Sequence, residues 1–238
     1  MNATVDTPDV AHFDALAKDW WNPDGPMRTL HDITTARVAY ILQQTPVQDK
    51  TILDVGCGGG LVAEALAKQG ALVTGIDLAE SLIQEAQQHA QANHLSIHYA
   101  CQAIETLAEE QAEQFDVVTC LDMLEHVEHP EKILSAASRL VKPNGLVIVS
   151  TLNRHPKAFV LGILAAEYIL RLVPRGTHTY TRFIKPSELV TSVSAYLTLR
   201  DLTGLTYHPF TRQTTFSSDV RINYLASFCK TGCQPALA

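Results

Sequence analysis

The stretch "TILDVGCGGGLVAEAL" (residues 51–66) joins an apolar run, a glycine-rich turn and a helical pattern. Its first five residues are typical of a buried strand, and the residues after Gly60 have helical spacing. Glycines between a strand and a helix let a ligand approach the backbone closely. The stretch therefore predicts a strand, a ligand-binding turn and a helix.

Strand and helix patterns alternate along most of the chain. Strands are expected at 51–55, 71–77, 96–100, 115–121 and 145–151, and around 197–207 and 220–229, with helical spacing at 60–69, 80–93, 103–111 and 130–141. The alternation predicts an α/β fold with a parallel sheet and helices on both faces. The last two strands, joined by the polar stretch "TRQTTFSSD", predict an antiparallel pair at one edge of the sheet.

The glycine turn does not have the spacing that diphosphate-bearing ligands need. Gly56 and Gly58 match the start of a G-x-G-x-x-G turn, but Leu61 stands where its third glycine is required, and no phosphate loop of the G-x-x-x-x-G-K-[ST] type occurs. Asp77 ends the second expected strand, where an acid can accept both hydroxyls of a ribose. The expected ligand therefore carries a ribose and lacks a diphosphate.

Composition limits the class of partner and the compartment. The formal net charge of −7 does not favour a nucleic-acid partner, because phosphate binding depends on clustered lysine and arginine. Five dispersed cysteines predict free thiols. The first 13 residues have neither the basic nor the apolar region of a secretion signal, so a cytoplasmic location is expected.

Four segments resemble the class I S-adenosylmethionine-dependent methyltransferases. They are "LDVGCGGG", "VTGID", "FDVVTCLDMLEHV" and "LVKPNGLVIVST", in the expected order. The resemblance implies a Rossmann-like fold with a mostly parallel seven-stranded sheet, an antiparallel edge hairpin and S-adenosyl-L-methionine as methyl donor. It implies cofactor contacts from Gly56, Gly58, Asp77 and Leu121. Asp54 either orients the turn or reaches the methionine ammonium group.

Residues 13–41 and 150–189 resemble the bacterial ubiquinone-biosynthesis O-methyltransferases, so that the likeness covers nearly the whole chain. The resemblance implies methylation of the phenolic hydroxyls of 2-polyprenyl-6-hydroxyphenol and 3-demethylubiquinol. It also places Arg37 in the cofactor site, through the methionine carboxylate. Two departures are "ITTAR", where the family commonly has Asn-Pro before the arginine, and Asp122, where glutamate is commoner.

The acceptor chemistry is expected to depend on "LDMLEHVEHP", after the fourth strand. If residues 122–126 form a helical turn, Asp122 lies on one face with Glu125 and His126. His126 could act as the base, and Asp122 and Glu125 could hold Mg²⁺, although an imidazole such as His126 is an unusual Mg²⁺ ligand. The alternative is that Glu125 and His126 merely shape the turn under the cofactor. His178 is the second candidate base.

The regions on either side of the central pattern suggest how a lipid-soluble acceptor enters. Residues 1–238 form one expected domain, with an N-terminal helical lid (9–45) and an insertion (153–186). Residues 158–173 are too short an apolar stretch for a membrane span. Flanked by basic residues, they could lie in an anionic membrane interface on the inner face of the membrane, or form a buried core helix. The sequence is compatible both with a free enzyme and with a member of a ubiquinone-biosynthesis enzyme complex.

Overall fold

A computed structural model of the chain describes residue 14 and residues 16–159 and 179–230. The strands are β1 Thr51–Val55, β2 Leu72–Asp77, β3 His98–Cys101, β4 Phe115–Leu121, β5 Val141–Leu152, β6 Leu197–His208, β7 Gln213–Ser217 and β8 Asn223–Lys230. They form one sheet in the order β3-β2-β1-β4-β5-β8-β6-β7. Strands β1 to β5 run parallel, and β6 to β8 are antiparallel to their neighbours. The prediction of a mostly parallel sheet with an antiparallel edge is confirmed.

The longer helices among the described residues are α1 Arg28–Gln44, α2 Leu61–Ala67, α3 Glu80–Ala92, α4 Ile104–Glu110, α5 Pro130–Leu140 and α6 Pro186–Val193. Short helical turns lie at Ala17–Asp19, Leu124–His126, Pro156–Ala158 and Tyr180–Arg182. Helices α5 and α6 each begin at a proline, which suits the first helical position because its missing N–H has no partner there. Each predicted helix of the central region begins and ends within a few residues of the observed one.

The sheet has one strand more than the sequence predicted. Strand β7 lies inside the polar stretch that was expected to be a plain connection, and it pairs with β6 from Gly204↔Ser217 to His208↔Gln213. The stretch is rich in threonine, a β-branched residue that suits a strand. The sequence did not predict this strand because its residues are mostly polar. Strand β7 lies at the edge of the sheet, and edge strands do not need an apolar sequence.

Both faces of the parallel sheet are covered. Leu53 and Val55 of β1 belong to one buried cluster, whereas Ile52 belongs to the cluster on the opposite face. Successive strand residues point to opposite faces, so a strand covered on both sides reads as a continuous apolar run. This explains why "TILDV" has no polar alternation before Asp54.

The strand order places a ligand crevice beside β1. The chain proceeds from β1 outward through β2 and β3, and then returns to β4 on the other side of β1. In open α/β sheets, ligands bind outside the carboxyl ends of the strands where the strand order reverses. Gly56 and Leu121 lie at these ends of β1 and β4, and Asp77 ends the adjacent β2.

Two further expectations concern the insertion and the cysteines. Residues 160–178, including His178 and most of 158–173, lie outside the described residues. Among the helices that the structure describes, none is both long and apolar enough to cross a bilayer. Cys57, Cys101 and Cys120 are free thiols. The prediction of free thiols is wrong for Cys229, which is disulfide-bonded, because dispersed spacing does not show which thiols the fold brings together.

Candidate active site

One cavity of about 230 Å³ lies at the carboxyl ends of the parallel strands. It is lined by every predicted site residue within the described part of the chain: Arg37, Asp54, Gly56, Gly58, Asp77, Leu121, Asp122, Glu125 and His126. These residues come from α1, from the ends of β1, β2 and β4, and from the turn that follows β4. The structure therefore brings together side chains that are far apart in the sequence.

The glycine turn passes along the cavity in a conformation that other residues rarely adopt. Gly56 and Gly58 have φ angles of +68° and +54°. A Cβ on Gly56 would lie 3.0 Å from Cβ of Met123 across the turn. The absence of a Cβ is thus required both for the backbone conformation and for the close approach at the cavity wall.

Asp77 links the glycine turn to the end of β2. Its Oδ2 accepts a hydrogen bond from the Gly58 backbone N–H at 2.9 Å, and Oδ1 accepts those of Leu78 and Ala79 at 2.7 and 2.9 Å. Burial raises the pKa of Asp77, and the backbone donors of Ala79, Gly58 and Leu78 oppose that rise. A carboxylate has about four lone-pair sites. Asp77 therefore keeps about one acceptor site for a ligand on the cavity side.

Arg37 carries a buried positive charge beside the cavity. It forms an ion pair with Asp122, and its side chain is almost fully buried. Burial lowers the pKa of Arg37 to about 10, while the charges of Glu125 and Asp54 act in the opposite direction. A guanidinium with that pKa remains protonated at neutral pH. Arg37 is therefore a fixed cation that interacts with three carboxylates of the cavity wall, those of Asp54, Asp122 and Glu125.

Arg37 also meets a requirement for holding the carboxylate of an amino-acid ligand. Its Nε is buried and has no hydrogen-bond partner among the described residues. Buried donors are normally satisfied, so an unpaired guanidinium nitrogen beside a cavity needs a partner. A carboxylate is the acceptor that a guanidinium binds most strongly. The residues present thus fit the methionine part of the expected cofactor.

Asp54 is fully enclosed next to the glycine turn. Its Oδ1 accepts a hydrogen bond from Oγ1 of Thr119 at 2.7 Å, across the register pair that joins β1 to β4. Burial raises the pKa of Asp54 to about 6, and both the Thr119 hydrogen bond and the Arg37 charge oppose that rise. Asp54 is therefore ionised at neutral pH at a cost in folding free energy.

This cost leads to a pH-dependent prediction for Asp54→Asn. The folded-state pKa of Asp54, about 6, lies above its ordinary value of 3.8, so its stabilising contribution exists below pH 3.8 and is lost as the pH rises through 6. Asparagine has no such loss and can still accept from Thr119. We expect the free energy of unfolding of the variant, relative to the parent, to rise by roughly 1–3 kcal/mol between pH 4.5 and 7.5.

Urea unfolding of both proteins at the two pH values measures this difference. Asp116→Asn is the matched control, because the pKa of Asp116 is lowered and its stabilising contribution is constant across this range. The prediction would be contradicted if the difference in the free energy of unfolding between Asp54→Asn and the parent were the same at pH 4.5 and 7.5. If Asp54 also binds the ligand's ammonium group, the same variant binds S-adenosylhomocysteine more weakly although it is more stable.

Asp122 does not belong to the helical turn that the sequence predicted. Its φ of +50° takes it out of the helix, and the turn covers only Leu124–His126. The Asp122 backbone N–H donates to the Ser150 carbonyl at 3.0 Å, and its side chain accepts from the Ser150 hydroxyl and pairs with Arg37. The condition for a common helix face of Asp122 with Glu125 and His126 is therefore not met, because the hydrogen bonds with Ser150 of β5 keep Asp122 outside the turn.

This arrangement does not fit the predicted Mg²⁺ site. Among the described residues, no group of three or more histidine, cysteine or acidic side chains is placed to hold a metal ion. Asp122 is engaged by Arg37 and Ser150, and Oε2 of Glu125 accepts from Oγ1 of Thr151 at 2.7 Å. The carboxylates intended as ligands thus already have partners of their own.

Several lining residues were not singled out from the sequence. The loop after β3 contributes Gln102 and Ala103, the start of α4 contributes Ile104 and Glu105, and the N-terminal region contributes Trp20 and Met27. The loop could have been found, because the carboxyl ends of all parallel strands meet at one edge of a sheet. Trp20 lies in the predicted N-terminal lid (9–45), and nothing in its local sequence pattern indicates contact with the glycines.

Comparisons with known proteins agree with this site. Residues 53–149 match the family model described as "Methyltransferase domain". The ubiquinone biosynthesis O-methyltransferase of Coxiella burnetii is 48% identical over 225 residues, which covers 94% of this chain and 96% of the relative. The Pseudomonas fluorescens protein of the same name is 48% identical over 224 residues, with 94% and 97% covered.

Solved structures show the same fold at lower identity. Magnesium protoporphyrin IX methyltransferase from Synechocystis with bound SAH has a TM-score of 0.70 at 21% identity, covering 94% of this chain and 99% of that one. The same enzyme with bound SAM gives 0.64 at 20% identity, with 97% and 100% covered. With this fold, this cavity and nearly full-length relatives at 48% identity, the chain belongs to the ubiquinone biosynthesis O-methyltransferase family of S-adenosylmethionine-dependent enzymes.

Proposed function

We propose that the protein methylates the phenolic hydroxyls of 2-polyprenyl-6-hydroxyphenol and 3-demethylubiquinol, and that the reaction takes place in this cavity. The observation that carries the proposal is that His126 lines the same cavity as the glycine turn and Asp77. A base and a cofactor turn within one small cavity suit methyl transfer to a weakly acidic oxygen. The names of the curated relatives support a ubiquinone-pathway substrate.

The proposed roles of the cofactor residues follow from their charges. S-adenosylmethionine supplies an electrophilic methyl group on a sulfonium. Asp77 accepts from a ribose hydroxyl, Arg37 binds the methionine carboxylate, and Asp54 faces the ammonium group. Leu121 and the glycine turn provide the apolar and backbone surfaces between these charges. Fixed charges in a buried site orient the ligand because little reorganisation is needed when it binds.

His126 is proposed to take the proton from the acceptor hydroxyl. A phenol with a pKa near that of tyrosine, about 10, is mostly protonated at neutral pH, and methyl transfer needs the electron-rich oxygen. His126 is partly exposed at the end of the turn Leu124–His126, whereas Glu125 is buried against Thr151. Glu125 is therefore given a positioning role. His178 remains the alternative base.

Methylation assays with two ring substrates test the proposal. The expected result is that the protein methylates a short-chain polyprenyl phenol with a free ring hydroxyl, and mass spectrometry with tandem fragmentation places the new methyl group on oxygen. The control substrate is the matching ring without that hydroxyl. Methylation of the control alone would replace O-transfer by C-methylation, and SAH binding without turnover of either ring would indicate a binding protein.

We also propose that the protein works in the cytoplasm at the inner face of the membrane, in a complex with other enzymes of its pathway. Polyprenyl substrates reside in the bilayer, and residues 158–173 are apolar up to Glu167 and have few polar positions, with Lys157, Arg171 and Arg175 near their ends. Basic residues beside an apolar stretch favour an anionic interface. Sedimentation with anionic and neutral vesicles measures the membrane contact, and co-purification from cells measures the complex.

A further inference from the structure

Residues 16–27, called the strap below, lie across the cofactor cavity. Trp20 and Met27 of the strap are buried and pack with Ala79 and Leu82, which follow the end of β2. Trp20 and Met27 also line the cavity itself. The strap is therefore a wall of the cofactor site as well as part of the packed structure.

Trp20 covers the glycine turn. A Cβ on Gly59 would lie 2.3 Å from Cδ1 of Trp20, and one on Gly58 would lie 2.4 Å from its Cζ2. The indole is thus in direct contact with the turn. The remaining cavity of about 230 Å³ is smaller than the roughly 300–1,000 Å³ of typical ligand pockets. The indole has to shift before a ligand as large as the cofactor occupies the space over Gly58 and Gly59.

Arg212, in the connection between β6 and β7, holds the strap from outside. Its Nη1 donates to Oδ1 of Asp24 at 2.9 Å, and its Nη2 donates to the Pro23 carbonyl at 2.9 Å. The same guanidinium binds both oxygens of Asp32 on α1, at 2.9–3.1 Å. The Tyr207 hydroxyl donates to Asp32 at 2.7 Å. One arginine therefore joins the sheet edge, α1 and the strap.

A second contact fixes the strap at Trp21. The rings of Trp21 and His89 are stacked, with centroids 3.4 Å apart and planes 6° from parallel. Nδ1 of His89 lies 2.7 Å from Oε1 of Glu64, a buried carboxylate in α2. Lys68 approaches the same carboxylate at 3.3 Å. The strap thus rests on α3 at Trp21 and on the β6–β7 connection at Asp24.

The closed position of the strap also contains two destabilising buried groups. Nε1 of Trp20 and Nε1 of Trp21 are buried and have no hydrogen-bond partner among the described residues. A buried donor without an acceptor destabilises the arrangement that buries it. The contacts of Arg212 and His89 offset this cost, so losing them favours opening.

We propose that the strap is the gate of the cofactor cavity and that Arg212 is a positioning residue that holds it shut. The proposal rests on the assignment of this cavity to S-adenosylmethionine. While Arg212 binds Asp24 and Pro23, the strap stays over the cavity, and a ligand inside the cavity is retained. When these bonds break, the strap moves away from Gly58 and Gly59, so that ligand enters and leaves.

The full-length protein offers a direct reporter of this motion, because its two tryptophans are Trp20 and Trp21. Acrylamide quenching of tryptophan fluorescence measures strap exposure, and stopped-flow fluorescence measures the dissociation rate of S-adenosylhomocysteine. We expect Arg212→Ala to increase the quenching constant about 2-fold and the dissociation rate about 10-fold, and Asp24→Ala to have smaller effects of the same sign. Arg221→Ala is the matched control, because Arg221 pairs with Asp219 and not with the strap.

If Arg212→Ala and Asp24→Ala both have the quenching constant and the dissociation rate of the parent, the proposal that the strap is a gate is overturned. The Asp24 side chain is 80% exposed, so Asp24→Ala keeps the test decisive if Arg212→Ala fails to fold. Calorimetric titration of the parent with S-adenosylhomocysteine separates the two proposals. Absence of binding would remove the cofactor assignment and the gate together, whereas binding without any change in the variants would remove the gate alone.

Discussion

Asp77→Ala is expected to weaken the binding of S-adenosylhomocysteine at least about 100-fold, which corresponds to about 3 kcal/mol. The carboxylate accepts three backbone N–H groups, including that of Gly58, and has about one acceptor site left for a ribose hydroxyl. Alanine removes the ligand's acceptor and also the side chain that orients the turn. Hydrogen bonds to a charged group contribute about 1.5–3 kcal/mol each, so losing both functions reaches the stated size.

An analogue that lacks both ribose hydroxyls separates the two functions of Asp77. The parent is expected to prefer the natural nucleoside by about 10-fold or more, and Asp77→Ala to lose that preference, in a double-mutant cycle on ligand and protein. Asp116→Ala is the control, since its carboxylate binds Thr51 and Lys142 at the opposite end of the sheet. An Asp77→Ala protein that still discriminates between the two ligands would refute the ribose assignment.

The single remaining acceptor site refines the expectation drawn from the sequence. A strand-ending acid was expected to accept both ribose hydroxyls, but two of the lone-pair sites of Asp77 serve Leu78 and Ala79 and one serves Gly58. A second ribose hydrogen bond would require one of these backbone groups to be released. The sequence does not contain this information, because backbone donors are not visible as side chains.

The central region could be predicted from the sequence because its determinants are local. The apolar run of β1, the glycines of the turn and the helical spacing of α2 lie within 16 consecutive residues. Gly56 and Asp77 could likewise be assigned from their places at strand ends, since ends of parallel strands converge. Neither inference needed to know which distant residues touch.

Contacts between distant segments could not be predicted in the same way. The pairing of Arg37 with Asp122, the contact of Trp20 with Gly58 and the clamp by Arg212 each join different elements. No periodicity or turn signal reports such pairings, because they arise only once the sheet has set the distances. The error over the helical turn at Asp122 has the same origin, since Ser150 of a neighbouring strand holds that residue.

The charged side chains of the cavity wall suit a ligand that carries both positive and negative groups. Asp54, Asp122 and Glu125 together carry more negative charge than Arg37 can balance. An excess of negative charge near the glycine turn favours the sulfonium and ammonium groups of the cofactor, while Arg37 offers a place for its carboxylate. The same excess costs stability when the site is unliganded, which is why Asp54→Asn is expected to be more stable at neutral pH.

His126→Ala is expected to lower kcat by about 10²–10⁴-fold, the range of general base catalysis, and to leave S-adenosylhomocysteine affinity within about 2-fold. The imidazole lies in the turn after β4, where it lines the cavity without belonging to the cofactor contacts proposed above. Alanine would leave the acceptor hydroxyl protonated when the methyl group approaches. Added imidazole is expected to restore part of the rate, because a small base can enter the vacated space.

The control for this prediction is His129→Ala, which removes an exposed imidazole of the same loop that pairs with Glu131 at 3.0 Å. The parent is expected to lose kcat at low pH as the base becomes protonated, and His126→Ala to lose that pH dependence. Glu125→Gln is expected to reduce kcat by only about 10-fold, because Glu125 is buried against Thr151 and acts on the site through its charge near Arg37. Equal losses in the His126 and His129 variants would contradict the assignment, and a loss found only in His178→Ala would transfer the role of base to that residue.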